Sequence, residues 1–283
     1  MIPAVEISHL VKDFRIGMRG VKLRAVDDLS LTVGEGEIFG FLGPNGSGKS
    51  TTLKIVLGLF KPTAGTCRIF GRECRMAIAR SDVGFLPEAP YFYGYLSGRE
   101  LLRFYARVAG VAKSDLEAAV ERALATTGMT AAADRRVRTY SKGMLQRIGV
   151  AQAIVHNPRL VVLDEPTAGI DPVGSAAIGD CILKMKEEGK TVIVCSHLLG
   201  QIENICDRVA IMNRGKLLVA GTLDEILTQP GKMQVSVGGI EHFSDADKAA
   251  LEDFLRSRGA TLDGLSRPRI SLERYFIDRF SKQ

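Results

Sequence analysis

Five consecutive apolar residues, Ile38-Phe39-Gly40-Phe41-Leu42, run straight into Gly43-Pro44-Asn45-Gly46-Ser47-Gly48-Lys49-Ser50, and this junction restricts the fold more than any other stretch of the 283-residue chain. A strand that is apolar on both faces needs cover on both sides, as in the middle of a parallel sheet. The loop after it matches G-x-x-x-x-G-K-S/T and opens a helical pattern from Lys49 to Leu59, punctuated by Gly58 and Pro62. Its glycines let the backbone curl until successive N–H groups point at one locus, and the helix start adds the positive end of its dipole there. Such a loop cradles phosphate. Lys49 would neutralise the β- and γ-phosphates, and the Ser50 hydroxyl would ligate Mg²⁺.

A second apolar strand, Leu160-Val161-Val162-Leu163, ends in Asp164-Glu165-Pro166. At the carboxyl end of a sheet strand, side chains face the same crevice as the phosphate loop. Asp164 is expected to hold Mg²⁺ through its water shell and Glu165 to polarise the water that attacks the γ-phosphate. A lone Asp-Glu pair also serves to cap the segment after it. Beside a phosphate loop, the pair points to a nucleoside triphosphatase whose class is still open. A guanine-specific switch protein would carry Asn-Lys-x-Asp, which the sequence lacks.

The remaining pattern alternates strands and helices. Val5 and Ile7, then Leu29, Leu31 and Val33, alternate with polar neighbours as strands do, and Cys67–Phe70 and Val83–Leu86 read as short strands. Residues 97–156 differ: Leu101, Leu102, Tyr105 and Val108, and then Leu116, Val120 and Leu124, recur at helical spacing, which predicts an all-helical insertion. After it come a strand over 160–163, a helix over 173–187, a strand over 191–195, a helix over 199–206 and a strand over 208–212. Asn213-Arg214-Gly215-Lys216 then turns into a strand over 216–220. Residues 231–283 read as a smaller unit: a strand at Met233–Val237, a helix over 245–257 stopped by Gly259, and a terminal helix carrying Leu272, Phe276 and Phe280. The alternation predicts an α/β fold with a mostly parallel sheet covered on both faces.

A hydrophobic content of 46% supports a sizeable core, and the formal charge of +6 suits either simple solubility or anionic partners. Five cysteines without a C-x-x-C pair suggest neither a disulfide framework nor a zinc site. Glu6 and Asp13 interrupt the first residues, and no run of 18 apolar residues occurs, so a cytosolic chain is expected.

Tyr140-Ser141-Lys142-Gly143-Met144, followed by Leu145-Gln146-Arg147, resembles the Leu-Ser-Gly-Gly-Gln signature of the ATP-binding cassette (ABC) ATPases. Glu88 after Gly84-Phe85-Leu86-Pro87, Asp171 in Ala168-Gly169-Ile170-Asp171, and His197 after Val192–Cys195 fall where that family places its other motifs. The resemblance spans roughly residues 4–225. It implies a P-loop NTPase sheet flanked by helices, with an antiparallel β subdomain, the helical insertion and a small C-terminal appendage. The corresponding division is a cassette over 1–228 with its helical subdomain at about 97–156, and an extension over 229–283. It further implies a head-to-tail dimer in which ATP and Mg²⁺ are sandwiched between the residues Gly43 to Thr51 of one subunit and Ser141 and Gly143 of the other. Lys49, Glu165 and the switch-like His197 would act on the γ-phosphate, and Asp171 would lie at the nucleotide. Phe14 occupies the place of an adenine-stacking aromatic, a role that competes with ordinary core packing. Read alone, the signature segment is equally an N-capped helix.

Some positions depart from the family pattern. Glu88 replaces the usual glutamine; a carboxylate can also accept from a water or ligate Mg²⁺, but adds negative charge near the γ-phosphate. Lys142 and Met144 replace a glycine and a glutamine. With the tail Ser271-Leu272-Glu273-Arg274-Tyr275-Phe276, these departures resemble the ABC-2, or drug-exporter, type, whose permeases are separate chains. The partners so implied are transmembrane permease subunits and a second ATPase subunit, identical or homologous, placing the chain on the cytoplasmic face of the membrane. Relatives that act on nucleic acid carry two cassettes or long coiled coils; this chain has one cassette and no sustained heptads, so nucleic acid is not expected. The aromatic run Tyr91-Phe92-Tyr93-Gly94-Tyr95 is either a permease dock or core, and the basic residues Arg15, Arg19, Lys22 and Arg24 read as a solvated run or a phosphate contact.

Overall fold

The computed structural model describes residues 2–17, 21–196, 203–227, 244–259 and 261–262. In chain order the elements are β1 (Val5–Ile16), β2 (Val21–Val33), β3 (Ile38–Leu42), α1 (Lys49–Val56), β4 (Ala64–Ile69), β5 (Arg72–Glu73), α2 (Ala77–Arg80) and β6 (Val83–Leu86). There follow α3 (Gly98–Val108), α4 (Leu116–Thr126), α5 (Lys142–Ile154), β7 (Leu160–Asp164), α6 (Pro172–Glu187), β8 (Thr191–Ser196), β9 (Arg208–Asn213), β10 (Lys216–Thr222), α7 (Leu223–Leu227) and α8 (Asp245–Ser257).

Two sheets form. One is antiparallel, in the order β2-β1-β4-β5; the other runs β10-β9-β3-β8-β7-β6, with parallel pairing throughout except between β9 and β10. Every residue of β3, β7 and β8 is buried, as strands covered on both faces require. Two apolar clusters fill the space around this sheet. Phe39, Phe41 and Ile193 face the antiparallel sheet and α1, whereas Ile38, Val161, Leu163 and Val194 face α5 and α6.

Between β6 and β7 the chain is helical. Ser97 and Glu100 close a capping box at the start of α3, and Leu101, Leu102, Val120, Leu124 and Ile148 are buried together. The Tyr140 hydroxyl donates to Ala132 O at 2.7 Å, which anchors the chain just ahead of α5.

The elements expected within the described residues appear, with differences at their edges. The first helix stops at Val56 because Gly58 takes φ +68°, and the strand expected from Cys67 begins at Ala64 and ends before Phe70, whose φ is positive. β5, α2 and α7, of two, four and five residues, were not anticipated because none completes enough of a period to leave a pattern. Residues 199–202, the strand at 233–237 and the terminal helix lie outside the described residues. The chain divides into compact units of Met1–Leu227 and Thr228–Gln283, and in the second α8 is capped by Ser244 and Asp247.

α5 lies so close to β6 that a Cβ on Gly84 would overlap the carbonyl oxygen of Ala153 and stand 3.0 Å from Pro158. Backbone cannot yield as a side chain can, so Gly84→Ala is expected to cost about 1–3 kcal/mol, read as a lower urea midpoint.

Candidate active site

β3, β8 and β7 are neighbours, with Leu42 opposite Ser196 and Asp164 opposite Cys195, so their carboxyl ends open on one edge of the sheet. The glycine-rich loop leaves β3 there. Gly43 has φ +146°, and a Cβ on it would overlap Met212 O; Gly48 has φ +103°, and its Cβ would lie 2.5 Å from Ala25 O. Only glycine satisfies both conformation and space at these two positions. Gly48 is the N-cap of α1 and offers no side chain to the first turn, so the N–H groups at that helix start remain available to an anion. Lys49 is buried, its ammonium donating to Gly43 O at 2.6 Å and Pro44 O at 3.1 Å.

A cleft of about 330 Å³ opens on this loop, lined by Phe14, Leu23, Arg24, Ala25, Asn45 to Thr51, Glu88 and Glu165. Phe14 lies edge-on to Phe60 with ring centroids 5.6 Å apart, and the Lys12 ammonium stands 4.9 Å from its centroid. The ring therefore packs against Phe60 and also borders the cleft. Arg24 bridges Asp13 and Asp27, both at 2.9 Å, and Lys22 also pairs with Asp13. Arg24, foremost, and Lys22 hold the Asp13 carboxyl below its ordinary range. Of the basic run, Lys22 and Arg24 are thus ion-paired, while Arg19 lies outside the described residues.

Asp164 and Glu165 are each 7% exposed. Glu165 has φ +51°, a left-handed conformation uncommon for a side chain this large, and its N–H donates to Cys195 O at 2.9 Å. Burial raises the Asp164 pKa, the Cys195 thiol opposes this, and the charges of Glu165 and Glu88 push it further up. One Asp164 oxygen, Oδ1, is enclosed with no hydrogen-bond partner. A buried carboxylate with an unused oxygen next to two further acids suits a divalent cation, with Ser50 in the first turn of α1 as a hydroxyl ligand. Among the described residues, no group of three or more His, Cys, Asp or Glu side chains converges as a self-contained metal site. Asp164 and Ser50 fit a cation that also takes phosphate oxygens as ligands.

Residues 26–168 match the family profile described as ABC transporter. Over 96% of its length the chain is 38% identical to an ABC transporter ATP-binding protein of Synechocystis, covering 83% of that relative. The chain belongs to the ABC transporter ATP-binding family. The ABC cassette is also 40% identical, over 69% of this chain and 64% of the relative, to the bacitracin transport ATP-binding protein BcrA of Bacillus licheniformis. Its fold is similar to that of cbiO1 of Clostridium perfringens, part of the ABC transporter complex cbiONQ, with a TM-score of 0.71 at 25% identity, covering 80% of this chain and 91% of that one. The chain is an ATP-binding, ATP-hydrolysing subunit of an ABC transporter. No helix among its described residues is long and apolar enough to cross a membrane.

The other anticipated residues of the cassette lie apart from the cleft lining. Ser141 is the exposed N-cap of α5, its Oγ accepting from Met144 N at 3.3 Å, and Asp171 is the N-cap of α6, accepting from Gly174 N at 2.9 Å. Lys142 reaches over Gly169, and Gly143 faces Ile170 and Gly174, so the signature and the Ala168–Asp171 turn form one patch. His197 lies outside the described residues. Arg24, read from the sequence as part of a solvated run or a phosphate contact, lines the cleft, and Gln146, quoted with the signature but given no role, is buried and donates to Glu88 O at 3.2 Å, a partner 58 positions upstream that no local pattern announces.

A carboxyl with a raised folded-state pKa binds its proton more tightly folded than unfolded, so ionisation above the ordinary carboxylate range costs folding stability. Asp164→Asn is therefore expected to raise the melting temperature of the ATP-free cassette at pH 7, a gain that shrinks as pH falls toward about 4. The same variant should lose most of the stabilisation that Mg²⁺-ATP confers on the parent, measured by differential scanning calorimetry.

Proposed function

We propose that this chain powers export by separate transmembrane permease subunits, as a peripheral subunit on the cytoplasmic face of the membrane. In this reading residues 1–228 form the cassette, 97–156 its helical subdomain and 229–283 an extension. The observation that carries it is the division of the motifs. Phe14, Asn45 to Thr51, Glu88 and Glu165 border one cleft with Asp164 buried nearby, whereas exposed Ser141 and Asp171 and half-buried Gly143 lie on a separate patch. Each chain then carries two unlike halves of a site, and two chains head to tail complete two sites. A homologous ATPase subunit can replace the second copy.

In such a dimer Phe14 stacks on adenine, and the loop N–H groups and Lys49 take the phosphates. Lys49 exchanges its Gly43 and Pro44 carbonyls for the β- and γ-phosphate oxygens. Ser50 and Asp164, with Glu88, would hold Mg²⁺, which would supply charge neutralisation. Glu165 accepts a proton from the attacking water as its oxygen bonds to the γ-phosphorus and the bond to ADP breaks; His197 orients that water. The partner's Ser141 and Gly143 close over the γ-phosphate with the helix start of α5, and Asp171 steadies the seam.

Export, rather than import, rests on the resemblance at Glu88, Lys142, Met144 and the 271–276 tail, and on the similarity to a bacitracin transport ATP-binding protein. Docking of the permease near Glu88 is supported by exposed aromatics: Tyr91 is 89% and Tyr95 66% exposed, and Tyr95 lines a groove of about 600 Å³ with Tyr93 and Phe104. Phe92, by contrast, packs inward on Tyr105.

Glu165→Gln should still bind ATP and accumulate as a dimer on gel filtration, while kcat falls by about 10²–10⁴-fold. Undiminished turnover would remove Glu165 as the base. Tyr91→Ala with Tyr95→Ala should abolish co-purification with the permease and leave the ATPase rate of the isolated subunit unchanged; retained co-purification would place the dock elsewhere.

A further inference from the structure

Gln146 lies in the second turn of α5, the helix whose start carries Ser141 and Gly143. It is 3% exposed, its Nε2 donates to the backbone carbonyl of Glu88 at 3.2 Å, and its Oε1 is enclosed without a partner. A methionine or leucine would fill such a place without burying an unpaired acceptor, so space filling does not account for an amide there. What the amide adds is one directed hydrogen bond, and that bond selects the backbone of Glu88.

The surrounding packing reinforces the link. Gly149, three residues along the same helix face, packs closely: a Cβ there would lie 2.6 Å from Leu86 Cδ1, which would have to shift, and 3.5 Å from Phe92. α5 therefore grips the chain on both sides of Glu88, at Leu86 and Phe92, and Gln146 holds the carbonyl between them. Holding that carbonyl restrains the backbone from which the exposed Glu88 side chain projects to border the cleft with Ser50 and Glu165.

We propose that Gln146 is a positioning residue that holds Glu88 toward the nucleotide and ties it to the signature helix, so that displacement of α5 is transmitted to Glu88 of the same chain. The inference rests on the reading of Glu88 as a ligand of Mg²⁺ or of the attacking water. It makes the contact that one subunit's signature has with its partner's nucleotide felt at that subunit's own site.

A double-mutant cycle on the full chain tests this with two readouts. In the non-hydrolysing Glu165→Gln background, the first is the Mg²⁺-dependent tightening of ATP binding, taken as the ratio of Kd in EDTA to Kd in Mg²⁺. The second, with Glu165 intact, is kcat against KM. Gln146→Met is expected to leave the Kd in EDTA unchanged, to shrink the Mg²⁺-dependent ratio, and to lower kcat about 10- to 100-fold with little change in KM. In a Glu88→Ala background the same substitution should add nothing further. Gln146→Glu, equal in shape but lacking the N–H donor, supplies the same cycle if the methionine variant misfolds. Losses that multiply in the double variant overturn the proposal, as does a silent Gln146→Met beside an impaired Glu88→Ala. A Glu88→Ala variant that keeps the full Mg²⁺-dependent ratio overturns instead the role assigned to Glu88, and the positioning with it.

Discussion

Everything at the nucleotide cleft depends on the phosphate loop passing where no side chain fits, between the end of β9 and the middle of β2. Met212 O closes on Gly43 and Ala25 O on Gly48, while Gly215 N donates to Ser47 O at 2.9 Å. The loop is thereby clamped by both sheets rather than hung from one. Its N–H groups are aimed before any phosphate arrives, which is the preorganisation that electrostatic catalysis requires. The same clamp brings Phe14 and Arg24, from the antiparallel sheet, to a cleft whose acids come from the parallel one.

Those acids are kept at a cost. Asp164 is buried next to Glu165 and within the field of Glu88, and its raised pKa is the measure of that burial and crowding. The left-handed backbone at Glu165 adds local strain, of a kind that persists where surrounding structure over-determines it; here the Cys195 carbonyl holds the peptide in place. Any ligand that neutralises these carboxylates and binds only the folded chain also stabilises it, so ligand affinity and folding stability are linked.

The patch made by Ser141, Gly143 and the Ala168–Asp171 turn lies on helix starts whose capping bonds are already made within the chain. Its free N–H groups suit an anion supplied from outside, which an isologous pairing of two copies can bring twice over. The hydrogen bond from Gln146 to Glu88 gives that patch a physical line to the cleft of its own subunit.

Much of this was legible in the residues because it is local. The apolar strands β3 and β7, the phosphate loop and the Asp164-Glu165 pair declare themselves within a few positions, since a buried parallel strand and a phosphate-cradling turn each demand residue types in fixed order. The helical insertion was equally plain from its 3.6-residue period. What the tertiary structure alone decided are the long-range choices. Pairing of β1 with β2 sets Phe14 opposite Leu23 and Asp13 opposite Arg24, which puts Lys22 and Arg24 in ion pairs with Asp13 and brings Phe14 to the cleft. Gln146 meets Glu88 only because α5 packs on β6, and Lys142 meets Gly169 only because two helix starts converge. Sequence patterns record the period and chemistry of single elements; contacts between elements are chosen by burial and register over the whole chain, and no single segment carries them.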